Sequence, residues 1–119
     1  MRMWMVDPRI LCRKHLLGEY NELHKHRHVF VKQHKIDGYI KNNCIEPMHM
    51  KRRHDQLAHE MEWRGYNHKS NYEQPDISYL PDHQQYYRVN VPNALKDLLD
   101  RCEHCRKKYN YFMNNIYPD

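Results

Sequence analysis

The chain has 119 residues, with 20 Lys and Arg against 15 Asp and Glu and a formal charge of +5 with its 11 His neutral; that is one domain's worth of sequence, biased towards a polyanionic partner. Leu, Ile, Val and Phe make up only 22 of the 119 residues, near the composition at which chains stop folding, but ten Tyr, seven Met and two Trp restore enough apolar surface for a core. No apolar run approaches the roughly 18 residues of a membrane span, and the opening from Met1 to Arg9 lacks the apolar stretch of a signal peptide. The expectation is therefore one domain over residues 1–119, a cytoplasmic monomer with no membrane association.

Asp7-Pro8 pairs a capping side chain with a proline, whose missing N–H costs nothing at a first helical position. A long helix is predicted to follow, with Leu16, Tyr20 and Leu23 as its apolar stripe and a stop at Ile36-Asp37-Gly38. A second helix is predicted from about Met48 to Arg64, with Met50, His54, Leu57, Ala58 and Met61 on one face and Gly65 as its terminator. Residues 66–90, carrying Pro75 and Pro81, read as a long irregular loop of the kind that usually serves function. Its last part, Tyr86 to Val91, holds only an isolated strand signal. Pro92 opens a third helix with Leu95, Leu98 or Leu99, Cys102 and Cys105 on its apolar stripe, and the aromatic tail from Tyr109 has no helical period. The predicted fold class is mainly α: a compact single domain of about three helices with long irregular loops and an aromatic C-terminal tail.

Four Cys without a secretion signal are expected to be reduced thiols. Cys102 and Cys105 form a Cys-x-x-Cys pair, but a structural zinc needs four ligands and no second such pair exists. They are read as packing residues, and no metal and no cofactor are expected. His24, His26, His28 and His34, interleaved with Lys25, Arg27, Lys32 and Lys35, read as a polycationic face rather than a metal cluster. Three Gly leave no phosphate-cradling loop. Glu22 stands apart, because a carboxylate just before a cationic run repels the phosphates that the run attracts. A binding surface alone would avoid that cost, whereas a catalytic carboxylate or a helix-face ion pair explains it.

Met1-Arg2-Met3 leading into His15-Leu16-Leu17-Gly18-Glu19-Tyr20-Asn21-Glu22-Leu23 resembles the N-terminal part of the phage-type pyrimidine-dimer DNA glycosylases. Met50-Lys51-Arg52-Arg53-His54 through Trp63-Arg64-Gly65-Tyr66-Asn67-His68 resembles the family's second helix and its exit. Asp76-Ile77-Ser78 with Pro81, the Pro92 helix, Tyr109-Asn110-Tyr111-Phe112 and Ile116-Tyr117 resemble its closing segments in order, so the likeness covers nearly the whole chain.

The resemblance implies a mainly helical enzyme, acting on double-stranded DNA that contains damaged bases, with glycosylase and AP-lyase activity at cyclobutane pyrimidine dimers. It implies the N-terminal α-amine as nucleophile and a glutamate on the first helix, which by register is Glu22. Arg2 is too bulky to follow a removed initiator methionine, and counting back from Glu22 puts Met1 in the register of the family's first mature residue. Met1 is therefore expected to be retained and to supply the amine. An α-amine titrates near 7.7–8.0, more than two units below lysine, so a useful neutral fraction exists at physiological pH. The positions that match DNA contacts are Arg2, Asn21, Lys25, and Lys96 or Arg101; Asn21 stands where the family commonly has a basic residue. His15 matches a family histidine beside the site. Two other readings stay open: the same imine chemistry on another damaged base or an abasic site, and a noncatalytic helical module that binds nucleic acid.

Overall fold

The computed structural model describes residues 1–67 and 70–116, and among them there are helices and no strands. His68 and Tyr117, both part of the resemblance, lie outside the described residues. The α-helices are α1 (Arg13–Val31), α2 (Asp37–Lys41), α3 (Met50–Trp63), α4 (Asp82–Gln85), α5 (Val91–Arg101) and α6 (Glu103–Ile116), with 3-10 turns at Pro8–Ile10 and Pro47–His49. The fold is mainly α as expected, but with six α-helices among the described residues rather than about three.

Each difference has an identifiable cause. Asp7 does cap and Pro8 does follow it, but they open only the 3-10 turn: Asp7 Oδ1 accepts from the Arg9 N–H at 3.0 Å. Leu11 and Cys12 are then extended, and Arg64 Nη2 donates to the carbonyls of Pro8 (3.1 Å) and Leu11 (2.8 Å). An arginine from beyond α3 thus satisfies acceptors that a continuous helix would have satisfied itself. Helix α1 ends at Val31, before the positive-φ residue Gln33, and Asp37-Gly38 begins α2 instead of stopping α1. Helix α3 agrees closely with expectation. Its face Met50, His54, Leu57, Ala58 and Met61 is buried, and Gly65 leaves it at φ +82°, the left-handed conformation in which glycine lacks the Cβ penalty.

The Tyr86 to Val91 fragment pairs with side chains rather than with a strand. Val89 N–H donates to Glu46 Oε2 at 2.9 Å and Asn90 N–H to Asn43 Oδ1 at 2.7 Å, and the buried Glu46 also pairs with His49 and Arg88. Asn90 caps α5 through the Asn93 N–H, and Pro92 sits in its first turn as predicted. The tail differs most. Cys102 is extended and ends α5, and Glu103 begins a separate helix α6 that takes in the stretch from Tyr109 read as aperiodic; α6 contributes the buried Cys105 and the half-buried Tyr109 and Phe112 to the core. Those three positions do follow helical spacing, but two of them carry only partly apolar burial, and α6 packs on the Pro8–Ile10 turn, where Arg9 stacks on the Phe112 ring at 4.4 Å.

Helices α1 and α3 form the main packed pair. Between them Arg53 grips Glu19, and His54 is stacked between Tyr20 and Tyr72, with His24 edge-on. His24 Nε2 lies 3.0 Å from His54 Nε2, so His24 belongs to this packed cluster and not to a cationic face. No helix among the described residues is long and apolar enough to cross a membrane.

Candidate active site

The first six residues lie along the core rather than fraying. Met3 is fully buried, its N–H donates to the Cys44 carbonyl at 2.7 Å, and Arg53 Nη1 donates to the Val6 carbonyl at 2.7 Å. Met5 holds φ +58°, a left-handed conformation that costs a non-glycine residue about 1 kcal/mol or more and persists only where its surroundings impose it. The Met1 side chain is only 1% exposed, so the start of the chain is anchored by burial, and its α-amino nitrogen stands 3.3 Å from Glu22 Oε2. Glu22 remains 40% exposed. The pair therefore combines a fixed amine with a carboxylate open to solvent.

Glu19, one turn earlier on α1, has a different role. Arg53 donates to it twice, Nε to Oε2 at 2.6 Å and Nη2 to Oε1 at 2.9 Å, with both side chains sealed from solvent. Burial pushes the Glu19 carboxyl up, against the opposing pull of the Arg53 guanidinium. Only Glu22, of the two glutamates in this stretch, meets the amine.

Around the pair, Arg2 stacks on the Trp4 ring at 3.9 Å and donates from Nη1 to Asp97 Oδ2 at 2.6 Å. That Arg2 contact ties α5 to the N-terminus, and Arg101, one turn on in the same helix, reaches the other oxygen of Asp97 from Nε at 3.2 Å. The Arg2 hydrogen bond holds the Asp97 carboxyl below its ordinary value against the opposing effect of burial, and the charge of Arg101 adds to the lowering. Lys96 sits on the same helix, exposed and paired with Asp100 at 3.0 Å. Asn21 and Lys25 flank Glu22 on α1, both exposed, and Lys25 makes no ion pair among the described residues. His26 Nδ1 lies 3.1 Å from the Glu22 carbonyl, one turn on.

His15 is one step removed from the pair, edge-on to the Trp4 ring on which Arg2 stacks, with centroids 5.9 Å apart. It is seven residues before Glu22, about 10 Å along the helix axis, and its Nδ1 lies 3.2 Å from Cys12 Sγ and 3.7 Å from Cys105 Sγ. Burial, with the charge of Lys14, pushes its pKa below the ordinary histidine value. The reading of Cys102 and Cys105 as one helical stripe is corrected in the same place, because Cys102 closes α5 and Cys105 lies on α6. The Cys12-x-x-His15 spacing was the available signal for this cluster. Nothing in one sequence signals that Glu19 faces Arg53 or that Arg2 reaches Asp97. An open groove between residues 5–9 and α3, lined by Arg9, Lys51, Arg52, His59 and the exposed Trp63, includes neither Met1 nor Glu22.

A family model described as pyrimidine dimer DNA glycosylase matches residues 1–74, a stretch that holds Met1, Arg2, His15, Asn21, Glu22 and Lys25 and ends before α4. No curated protein and no solved structure matches the chain.

Proposed function

Since the chain belongs to the pyrimidine dimer DNA glycosylase family, we propose that it excises cyclobutane pyrimidine dimers from double-stranded DNA with the Met1 α-amine as nucleophile and Glu22 as the catalytic carboxylate, and then nicks the strand as an AP lyase. The observation that carries this reading is the 3.3 Å approach of the Met1 nitrogen to Glu22 Oε2. A carboxylate at that distance can take the ammonium's proton and free the lone pair that attacks.

The neutral amine attacks C1′ of the damaged nucleotide, forming a C1′–N bond as the glycosidic C1′–N bond breaks and the base leaves with its electron pair. The added nitrogen loses its proton, the ring oxygen takes one, and the C1′–O4′ bond opens to leave an iminium between Met1 and the sugar. Removal of a C2′ proton then expels the 3′ phosphate by β-elimination, and water releases Met1. Glu22 stands where it stabilises the cationic stages and carries protons between these steps.

Access needs a kinked duplex and an extruded nucleotide, and a poorly stacked lesion lowers that cost. Arg2, Lys25, Lys96 and Arg101 are proposed to hold phosphates, with Asn21 beside them. Three of the four cations are paired with Asp97 or Asp100. Ion pairs this open to solvent are screened and add little stability, so phosphates can compete for the cations. The enzyme is proposed to act as a cytoplasmic monomer and to require no cofactor for this chemistry.

Borohydride trapping tests the reading. The untagged protein is expected to form a covalent adduct with dimer-containing and with abasic duplexes, and peptide mapping is expected to place the adduct on Met1. An adduct on abasic DNA alone would restrict the activity to the lyase step, and no adduct on either would leave a DNA-binding module.

A further inference from the structure

The N-termini of α1 and α6 meet at a cluster that the proposed chemistry does not use. Cys12 is the residue before α1 and His15 lies in its first turn; Cys102 is the residue before α6 and Cys105 lies in its first turn. The four ligand atoms, three Sγ and one Nδ1, all fall within 4.8 Å of one another. The individual separations are 3.2 Å for Cys12 to His15, 3.8 Å for Cys12 to Cys102 and 3.7 Å for Cys105 to His15. Four such ligands around one zinc, at bond lengths of about 2.0–2.3 Å, stand about 3.5–3.8 Å apart. From this convergence we infer that Cys12, His15, Cys102 and Cys105 bind one structural zinc ion.

Backbone donors face two of the sulfurs. The Cys12 N–H donates to Cys105 Sγ at 3.2 Å and the Cys105 N–H to Cys102 Sγ at 3.4 Å. Two helix N-termini converge there as well, and their partial positive charge works against the burial that pushes the Cys105 thiol up. Three thiolates and an imidazole are a donor set for tetrahedral zinc with all four positions filled by protein, which makes the site structural rather than catalytic. A disulfide would employ only two of the four groups and would leave Cys105 and His15 unexplained. The site also bridges sequence that local structure does not connect. It ties residues 12–15 to residues 102–105, which lie beyond the matched family stretch, and so fastens α6 against the start of α1. Cys44, whose thiol donates to the Asn42 carbonyl, is outside the cluster.

The test is native mass spectrometry and metal analysis of the full chain purified without chelator. One zinc per chain is expected, released by a thiol-specific mercurial. After zinc is exchanged for cobalt, the visible spectrum should show the intense bands of a tetrahedral site with thiolate charge transfer. C102S/C105S should lose the metal, C44S should keep it, and H15C should keep it with stronger charge transfer from a fourth thiolate. Because H15C keeps the site, it answers the question even if C102S/C105S does not fold. Metal-free protein that takes up neither zinc nor cobalt would overturn the inference, as would unchanged uptake by C102S/C105S or a non-reduced mass two hydrogens low with Cys12 joined to Cys102. This outcome is independent of Met1, since trapping on DNA reads a different group.

Discussion

Arg53 holds Glu19 in a two-pronged, solvent-free ion pair between α3 and α1, and this pairing decides which of two neighbouring glutamates is left to meet the chain's own amine. With Glu19 turned into the helix interface, Glu22 is one turn on and partly open, 3.3 Å from the Met1 nitrogen. The same arginine also ties down the Val6 carbonyl, so one side chain locks both the helix that carries Glu22 and the segment that carries Met1.

The two glutamates should therefore separate stability from activity. Glu19→Gln leaves a buried guanidinium without its counter-charge and is expected to cost about 3–5 kcal/mol of stability. Glu22→Gln, at a partly exposed position, is expected to leave the urea midpoint nearly unchanged and DNA affinity intact while abolishing strand cleavage. Near-normal scission of dimer-containing duplex by Glu22→Gln would exclude Glu22 as the catalytic carboxylate.

At the N-terminus, the geometry tolerates little. One additional residue before Met1 displaces the amine by about 3.5 Å, beyond the tolerance of covalent attack, so an N-terminally extended protein is expected to lose borohydride trapping while a C-terminally tagged one keeps it. Arg2→Ala should act similarly by allowing removal of Met1, which leaves the new amine one residue short of Glu22. An adduct retained by the extended protein, with the extension verified by mass, would assign the nucleophile to another amine.

For DNA binding, each phosphate neutralised contributes a slope of about −0.9 in log affinity against log salt. Lys25→Ala is expected to reduce the slope by about one such contact. Asp97→Asn should do the reverse, because it releases Arg2 and Arg101 from their shared carboxylate. Tighter binding with a steeper slope is the expected result from titrations at several salt concentrations, and an Asp97→Asn variant that binds no more tightly would place Arg2 and Arg101 off the DNA face.

Gly65 closes α3 at φ +82° with open space around it, so Gly65→Ala meets no steric neighbour and suffers only the backbone penalty. A loss of about 1 kcal/mol is expected from chemical denaturation. A much larger loss would mean that the Arg64 contacts to Pro8 and Leu11 depend on this turn.

What the sequence determined by itself was mostly local. Periodicity and punctuation suffice for α3, whose apolar face and terminal glycine agree with each other, and for the start of α5 at Pro92. Its place just before the cationic run singled out Glu22, the resemblance carried by Met1 to Leu23 implied its role, and the family match over residues 1–74 contains that segment. Tertiary structure decided the rest, because it depends on contacts between segments far apart in the chain. Arg64 breaks the predicted long helix by satisfying the carbonyls of Pro8 and Leu11, a contact across more than fifty positions. Helix α6 forms from a weak apolar pattern because the Pro8–Ile10 turn offers it a surface to cover. Cys102 and Cys105 lack two partners when read alone along the chain; only the fold brings Cys12 and His15 across from the other end to make four.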